Sequence, residues 1–97
     1  MTPRGWRIEW RPKAVEDLRA IVRHIGNDSP AAARNFAQKL RARVEPLWQY
    51  PEIGPPGRVA HTRELVVHPN YIIFHRLRAD VRIVEILRVK HVARQWP

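Results

Sequence analysis

The sequence predicts one α+β domain: an N-terminal strand, then an antiparallel helical hairpin packed on one face of a mainly antiparallel sheet that three C-terminal strands complete. Three observations carry this. Apolar and polar residues alternate in "WRIEW"; apolar residues recur at spacings of three and four through residues 12–26 and again from residue 30; and three runs rich in Val and Ile follow the loop "YPEIGPPGR". The 97 residues, 1–97, suffice for a single domain with one modest core.

The period-two stretch from Trp6 to Trp10 reads as a short strand. Pro12 suits the first turn of a helix, where its missing N–H is not needed. Val15, Leu18, Val22 and Ile25 then form an apolar stripe, with Lys13, Glu16, Arg19 and Arg23 opposite, so a helix is expected over roughly 12–26. In "GNDSP", Gly26 or Asn27 is placed to supply a left-handed C-cap, Ser29 an N-cap, and Pro30 the first helical position. The second helix carries Ala33, Phe36, Ala37, Leu40 and Val44 on one stripe, and Pro46 predicts a kink or an early end. So short a connection makes the helices antiparallel neighbours.

After the Pro- and Gly-rich loop come "RELVV", the turn signal "HPNY" with Asn70 suited to a left-handed conformation, "YIIFHRL", the hairpin turn "RAD" and "VRIVEILRVK". Adjacent strands with short links imply an antiparallel meander. In the last strand, period two puts Val81, Ile83, Leu87 and Val89 toward the helices, and Arg82, Val84, Ile86, Arg88 and Lys90 on the other face. In the strand before it, Tyr71, Ile73, His75 and Leu77 oppose Ile72, Phe74 and Arg76. The expected outcome is a partly apolar, arginine-ringed open sheet face, a candidate binding surface.

Composition narrows the chemistry. The absence of cysteine excludes disulfides, thiolate zinc sites and a cysteine nucleophile. None of the four glycines lies in a phosphate-cradling pattern, and Ser29, the one serine, is used as a cap. No apolar run reaches membrane-spanning length and no signal-peptide pattern opens the chain, so a cytoplasmic protein is expected. The net charge of +9, carried by fifteen Arg and three Lys, points to an anionic partner, either nucleic acid or an acidic protein segment. Histidines stand at 24, 61, 68, 75 and 91; no pair has the i, i+4 spacing of a helical metal site, so no metal or cofactor is expected. His61, Arg63, His91 and Arg94 include the residue types that metal-free RNA cleavage uses: a base, an acid and cations for the phosphorane. For each histidine a structural role competes with that one.

The order of elements, with "WRPKAVEDLRAIVRHI", "YPEIGPPGR", "TRELVVHPNYIIFHRL" and "VEILRVKHVARQWP", resembles the RelE/ParE superfamily, the toxins of type II toxin–antitoxin modules, over nearly the whole chain. The resemblance implies a microbial-RNase-like fold and a cognate antitoxin. The antitoxin's small, acidic C-terminal segment would wrap the toxin in a hetero-oligomer; Arg19, Arg23, Ile72, Phe74, Val84 and Ile86 would meet it. Two activities occur in the superfamily: poisoning of DNA gyrase, and cleavage of mRNA in the ribosome. For cleavage the resemblance implicates Arg63, His91 and Arg94 as catalytic; for target or RNA binding it implicates Arg58, His61, Arg76, Arg88, Lys90 and Trp96. RelE-like members commonly carry Tyr-Arg where this chain has Tyr71-Ile72, and Lys where it has Leu65. Two missing cations weaken transition-state electrostatics, which favours the gyrase-directed reading over the ribonuclease. A homologue that keeps antitoxin binding without toxicity is the third possibility.

Overall fold

A computed structural model describes residues 5–93. Strand β1 (Arg7–Trp10) leads into helix α1 (Pro12–Asp28), helix α2 (Pro30–Val44) and a 3-10 turn (Glu45–Trp48); a loop then precedes β2 (Arg63–His68), β3 (Tyr71–Arg78) and β4 (Ile83–His91). The four strands form one sheet in the order β1-β4-β3-β2, with β1 parallel to β4 and the other pairs antiparallel. Among the described residues no helix is long and apolar enough to cross a membrane.

The helical hairpin forms for the expected reasons, with one correction. Ser29 caps α2, its hydroxyl accepting from the Ala32 N–H at 3.1 Å, and Pro30 opens the helix. Gly26 and Asn27 do not end α1, which continues to Asp28; Ser29, with extended backbone, closes one helix and opens the next. A single residue thus turns the chain, and Gly26 sits instead on the helix–helix seam, where an added Cβ would lie 3.7 Å from that of Ala33. Pro46 acts as expected: α2 ends at Val44 and the chain tightens into the 3-10 turn.

The core lies between the hairpin and one sheet face, with Ala14, Phe36, Leu40, Val44 and Leu47 packed on Leu65, Val67, Ile73, Val84, Ile86 and Val89. Full burial of each Ile or Leu contributes about 2–3 kcal/mol. Here the expected phase of the last strand is corrected. His75 pairs with Ile86 but Phe74 pairs with Arg88, so Leu87 is an inserted residue. Such a bulge switches the alternation: Val84 and Ile86 precede it and face the core, and Val89 faces the core after it. The turn before β4 is longer than "RAD", and Arg82 takes a positive φ of 55°. Asn70 does not take the left-handed conformation; its N–H is instead accepted by the His68 Nδ1 at 3.0 Å.

The open apolar sheet face is also corrected. Val84 and Ile86 are fully buried, and Ile72 and Phe74, which do point away from the helices, are only 4% and 2% exposed. The Arg58 guanidinium lies 5.9 Å over the Phe74 ring. None of the four apolar residues expected to meet an antitoxin is available on that surface.

Candidate functional site

The cations expected to meet a target are mostly held by carboxylates of the same chain. Arg58 forks onto Glu64 at 2.9 and 3.2 Å, and its own N–H reaches the same carboxylate at 2.8 Å. Arg76 binds the buried Glu85 at 2.8 Å. Arg63 opens β2 as expected, but its guanidinium turns under the loop and donates to the carbonyls of Glu52 and Gly54 at 3.0 and 2.9 Å. Beside it His75 is completely buried, with Nε2 3.2 Å from the Pro51 carbonyl and Nδ1 without a partner among the described residues. Arg63 and His75 therefore anchor residues 51–54 to the sheet.

Arg88 serves a different junction. β1 stops pairing with β4 at Ile86. Beyond that point Asp17 of α1 takes the place of a neighbouring strand: its carboxylate accepts from the Val89 N–H at 3.0 Å and from two Arg88 nitrogens at 2.7 and 3.1 Å. Burial opposes the charge of Asp17, but the Arg88 and Val89 hydrogen bonds and the charges of Arg88 and Lys90 outweigh it, holding the carboxyl below the usual aspartate range. The same contact raises the Arg88 pKa. Hydrogen bonding from Arg58, offset in part by burial, lowers Glu64 likewise. Nothing in the sequence marks Asp17 for this role, because the bond spans more than seventy positions.

At the N-terminal end of β3, four residues before His75, lies a cluster that the sequence did not present as one. Tyr71 pairs with His91 across β3–β4, ring centroids 5.2 Å apart, and packs on Phe36 at 5.2 Å and His68 at 5.6 Å. His68 and His91 share one device: each Nδ1 accepts the N–H two residues on, Asn70 and Ala93, at 3.0 Å. That fixes the proton of the neutral ring on Nε2. The rings border a groove of about 670 Å³ to which His24, Asp28, Asn35 and Lys39 contribute from the helices. A smaller recess of about 260 Å³ continues past His91 to Lys90 and Asp17. Such a corner can stack a planar group and donate hydrogen bonds to an anion. The sequence signalled only that β3 and β4 are adjacent antiparallel strands; the register that sets Tyr71 against His91 lies beyond the bulge and was not legible.

His91 and Arg63 do not belong to one site. They flank Tyr71 and His75, four residues apart on β3, which is about 13 Å along a strand. His61 lies elsewhere, exposed and at a positive φ of 66°. Arg94 and Trp96 lie outside the described residues. Arg19 and Arg23 are exposed on α1. Among the described residues no three His, Asp or Glu groups converge as metal ligands.

A second surface feature is an apolar groove of about 670 Å³ between β1 and the two helices, lined by Ile8, Trp10, Val15, Leu18, Ala37 and Leu40, with Arg41 among its charged lining residues.

The buried ionisable groups set an acid response. Burial, with the Arg63 charge adding to it and the Pro51 bond opposing it, lowers the His75 pKa. An unfolded chain binds a proton at His75 from about pH 6.5 downward while the native state resists it, so stability is full above that pH and declines below it. Asp17 and Glu64, with lowered pKa values, add a second loss as pH falls below about 4. Urea midpoints are expected to drop between pH 7 and 5.5 in the wild type and to stay level there in His75→Gln; an equal drop in both would refute the assignment.

Comparison with known proteins follows the same outline. A family model for the ParE toxin of the type II toxin–antitoxin system parDE matches residues 8–96. Y4kP of Sinorhizobium fredii is 41% identical over 92 residues, 94% of this chain and 93% of its own. Toxin RelE2 of Caulobacter vibrioides is 41% identical over 88 residues, 91% and 97% of the two chains. Among solved structures, a chain of the chromosomal ParDE system from P. aeruginosa superposes with a TM-score of 0.78 at 27% identity, covering 90% of this chain and 96% of that one.

Proposed function

The chain belongs to the ParE toxin family of type II toxin–antitoxin systems, and on that premise we propose that it is a growth inhibitor that binds DNA gyrase and carries out no chemistry of its own. The observation that supports a binding role over mRNA cleavage is the disposition of its cations. Metal-free cleavage needs unpaired positive charge aimed at the phosphorane. Arg58, Arg76 and Arg88 are each neutralised by a carboxylate, and Arg63 is committed to two carbonyls about 13 Å from His91 along the strand. A second reading, a ribosome-dependent endoribonuclease, draws on the two Nε2–H imidazoles of His68 and His91 flanking Tyr71. Pulse-labelling within minutes of inducing the chain alone separates the two. The expected result is early loss of DNA synthesis with translation intact, unchanged within about twofold in His91→Ala at equal protein level. Early loss of translation, abolished by His91→Ala, would replace the gyrase reading with the ribonuclease.

We infer that the neutralising antitoxin docks in the apolar groove between β1, α1 and α2 rather than on the sheet face, because that groove is open whereas the sheet-face residues are buried. An amphipathic helix seats aliphatic side chains in such a groove, and Arg41 in its lining would face the acidic side of that helix. Ala37→Glu puts a charge on the groove wall. It is expected to weaken antitoxin binding on the order of 100-fold, about 2.7 kcal/mol, while growth inhibition by the toxin alone persists. Unchanged affinity by titration calorimetry would move the antitoxin elsewhere.

A further inference from the structure

The ion pairs divide the molecule electrostatically. Among the described residues, six of the nine acidic side chains have an ion-pair partner: Glu9 with Arg7, Glu16 with Lys13, Asp17 with Arg88, Glu64 with Arg58, Asp80 with Arg78 and Glu85 with Arg76. Five of the six cations so used are arginines of β1 or of the chain after residue 57, so much of the sheet-side charge is cancelled. The outer face of the hairpin is different. Arg19 and Arg23 of α1 and Arg34 of α2 are exposed, and none is in an ion pair among the described residues.

Helix geometry brings the three together. Gly26 meets Ala33 across the seam; Arg23 stands about a turn before Gly26, Arg19 a turn before that, and Arg34 directly follows Ala33. Arg19 and Arg23, at i and i+4 with like charge, repel one another and cost helix stability. Among the described residues no ion pair compensates them. The exposed residues around them include Ala20, Asn27, Ala31 and Gln38, small or polar, and Glu16, whose carboxylate pairs with Lys13. Trp10 and Val15 border Arg19 and Arg23 but are half-buried in the apolar groove, so among the described residues no fully exposed aromatic side chain stands beside the three arginines to stack single-stranded bases. What remains is a cluster of planar, always-charged forks on a surface smooth enough for close approach, the chemistry that suits regularly spaced backbone phosphates.

We propose that this outer face of the helical hairpin, Arg19 and Arg23 with Arg34, binds the phosphate backbone of duplex DNA without reading its sequence. The contact is independent of the gyrase reading. It would hold the toxin on DNA by α1 and α2, leaving the Tyr71–His91 corner turned toward whatever else is bound there.

The test is fluorescence anisotropy of the purified full chain with a 20-base-pair duplex of arbitrary sequence across a salt series. R19Q/R23Q/R34Q is compared with R7Q/K13Q/R78Q, which removes the same charge from paired positions; melting curves verify that both fold. The hairpin variant is expected to lose on the order of 100-fold in affinity at 0.1 M salt, with the slope of log affinity against log salt shallower by about 2.7. The control should stay within about threefold of wild type. Equal losses in the two variants would reduce the effect to net charge and overturn the proposal. Tighter binding to single-stranded RNA of equal length would overturn it too, as would a hairpin variant that keeps duplex affinity but loses binding to poly-glutamate.

Discussion

Replacing Asp17 with alanine is expected to cost about 3 kcal/mol of stability. The substitution removes three contacts at once: it strands the half-buried Arg88 guanidinium and leaves the Val89 N–H without its acceptor. An unsatisfied N–H costs about 1–3 kcal/mol. Breaking a fully buried pair costs about 3–5 kcal/mol; this pair still reaches water, with side-chain exposures of 15% and 29%, so its share is smaller. Urea unfolding at pH 7 measures the loss, and Asp17→Asn, which keeps an acceptor for Val89, should recover part of it. A loss under about 0.5 kcal/mol in the alanine variant would show that Asp17 does not stand in for a strand at the β4 edge. Because Lys90 and His91 immediately follow Val89, the same variant should broaden their amide resonances, coupling this junction to the groove beside Tyr71.

Arg63→Ala is expected to cost about 2–3 kcal/mol, and the damage should be local. Two charge-assisted bonds to the Glu52 and Gly54 carbonyls disappear, each worth about 1.5 kcal/mol or somewhat more. Gly54 is itself held at a φ of 100°, where an added Cβ would come 2.6 Å from the Glu64 carbonyl oxygen. The loop therefore depends on few ties, of which Arg63 supplies two and His75 a third. Hydrogen exchange should show lost protection across residues 50–57, while growth inhibition per folded molecule stays level. Intact stability combined with lost mRNA cleavage would restore Arg63 as a catalytic residue and count against the gyrase reading. Arg63→Lys should not rescue fully, because one ammonium on a flexible stem lacks the planar fork.

The helices were readable because their signals are local. Ser29, Pro30 and Pro46 act through backbone geometry within a few residues, and the apolar stripes need only a neighbour to pack against. The strands were readable as elements, and the phase of β3 came through because it runs without interruption. β4 failed at Leu87. A bulge is a property of two strands in register, and no residue of β4 announces that Phe74 and His75 will meet Arg88 and Ile86. One inserted position moved Val84 and Ile86 from a supposed open face into the core, and with them went the expected antitoxin surface. Gly26 misled for a related reason: its neighbours suggested a cap, whereas the close approach of Ala33 gives it a packing role.

The candidate site divides in the same way. Period, caps, turn residues and an excess of arginine are properties of the chain itself, and from them came the α+β class, the hairpin, the meander and the expectation of an anionic partner. Which arginines keep their charge for a partner is decided by distance in three dimensions. Asp17 reaches Arg88, Glu64 reaches Arg58 and Glu85 reaches Arg76 only after the sheet has formed. Tyr71 becomes the neighbour of His91, and Arg63 is carried away from it, through strand register alone. Short-range backbone preference is written residue by residue in the sequence; the pairing of charges and the convergence of rings depend on contacts between distant residues, and the tertiary structure decided them.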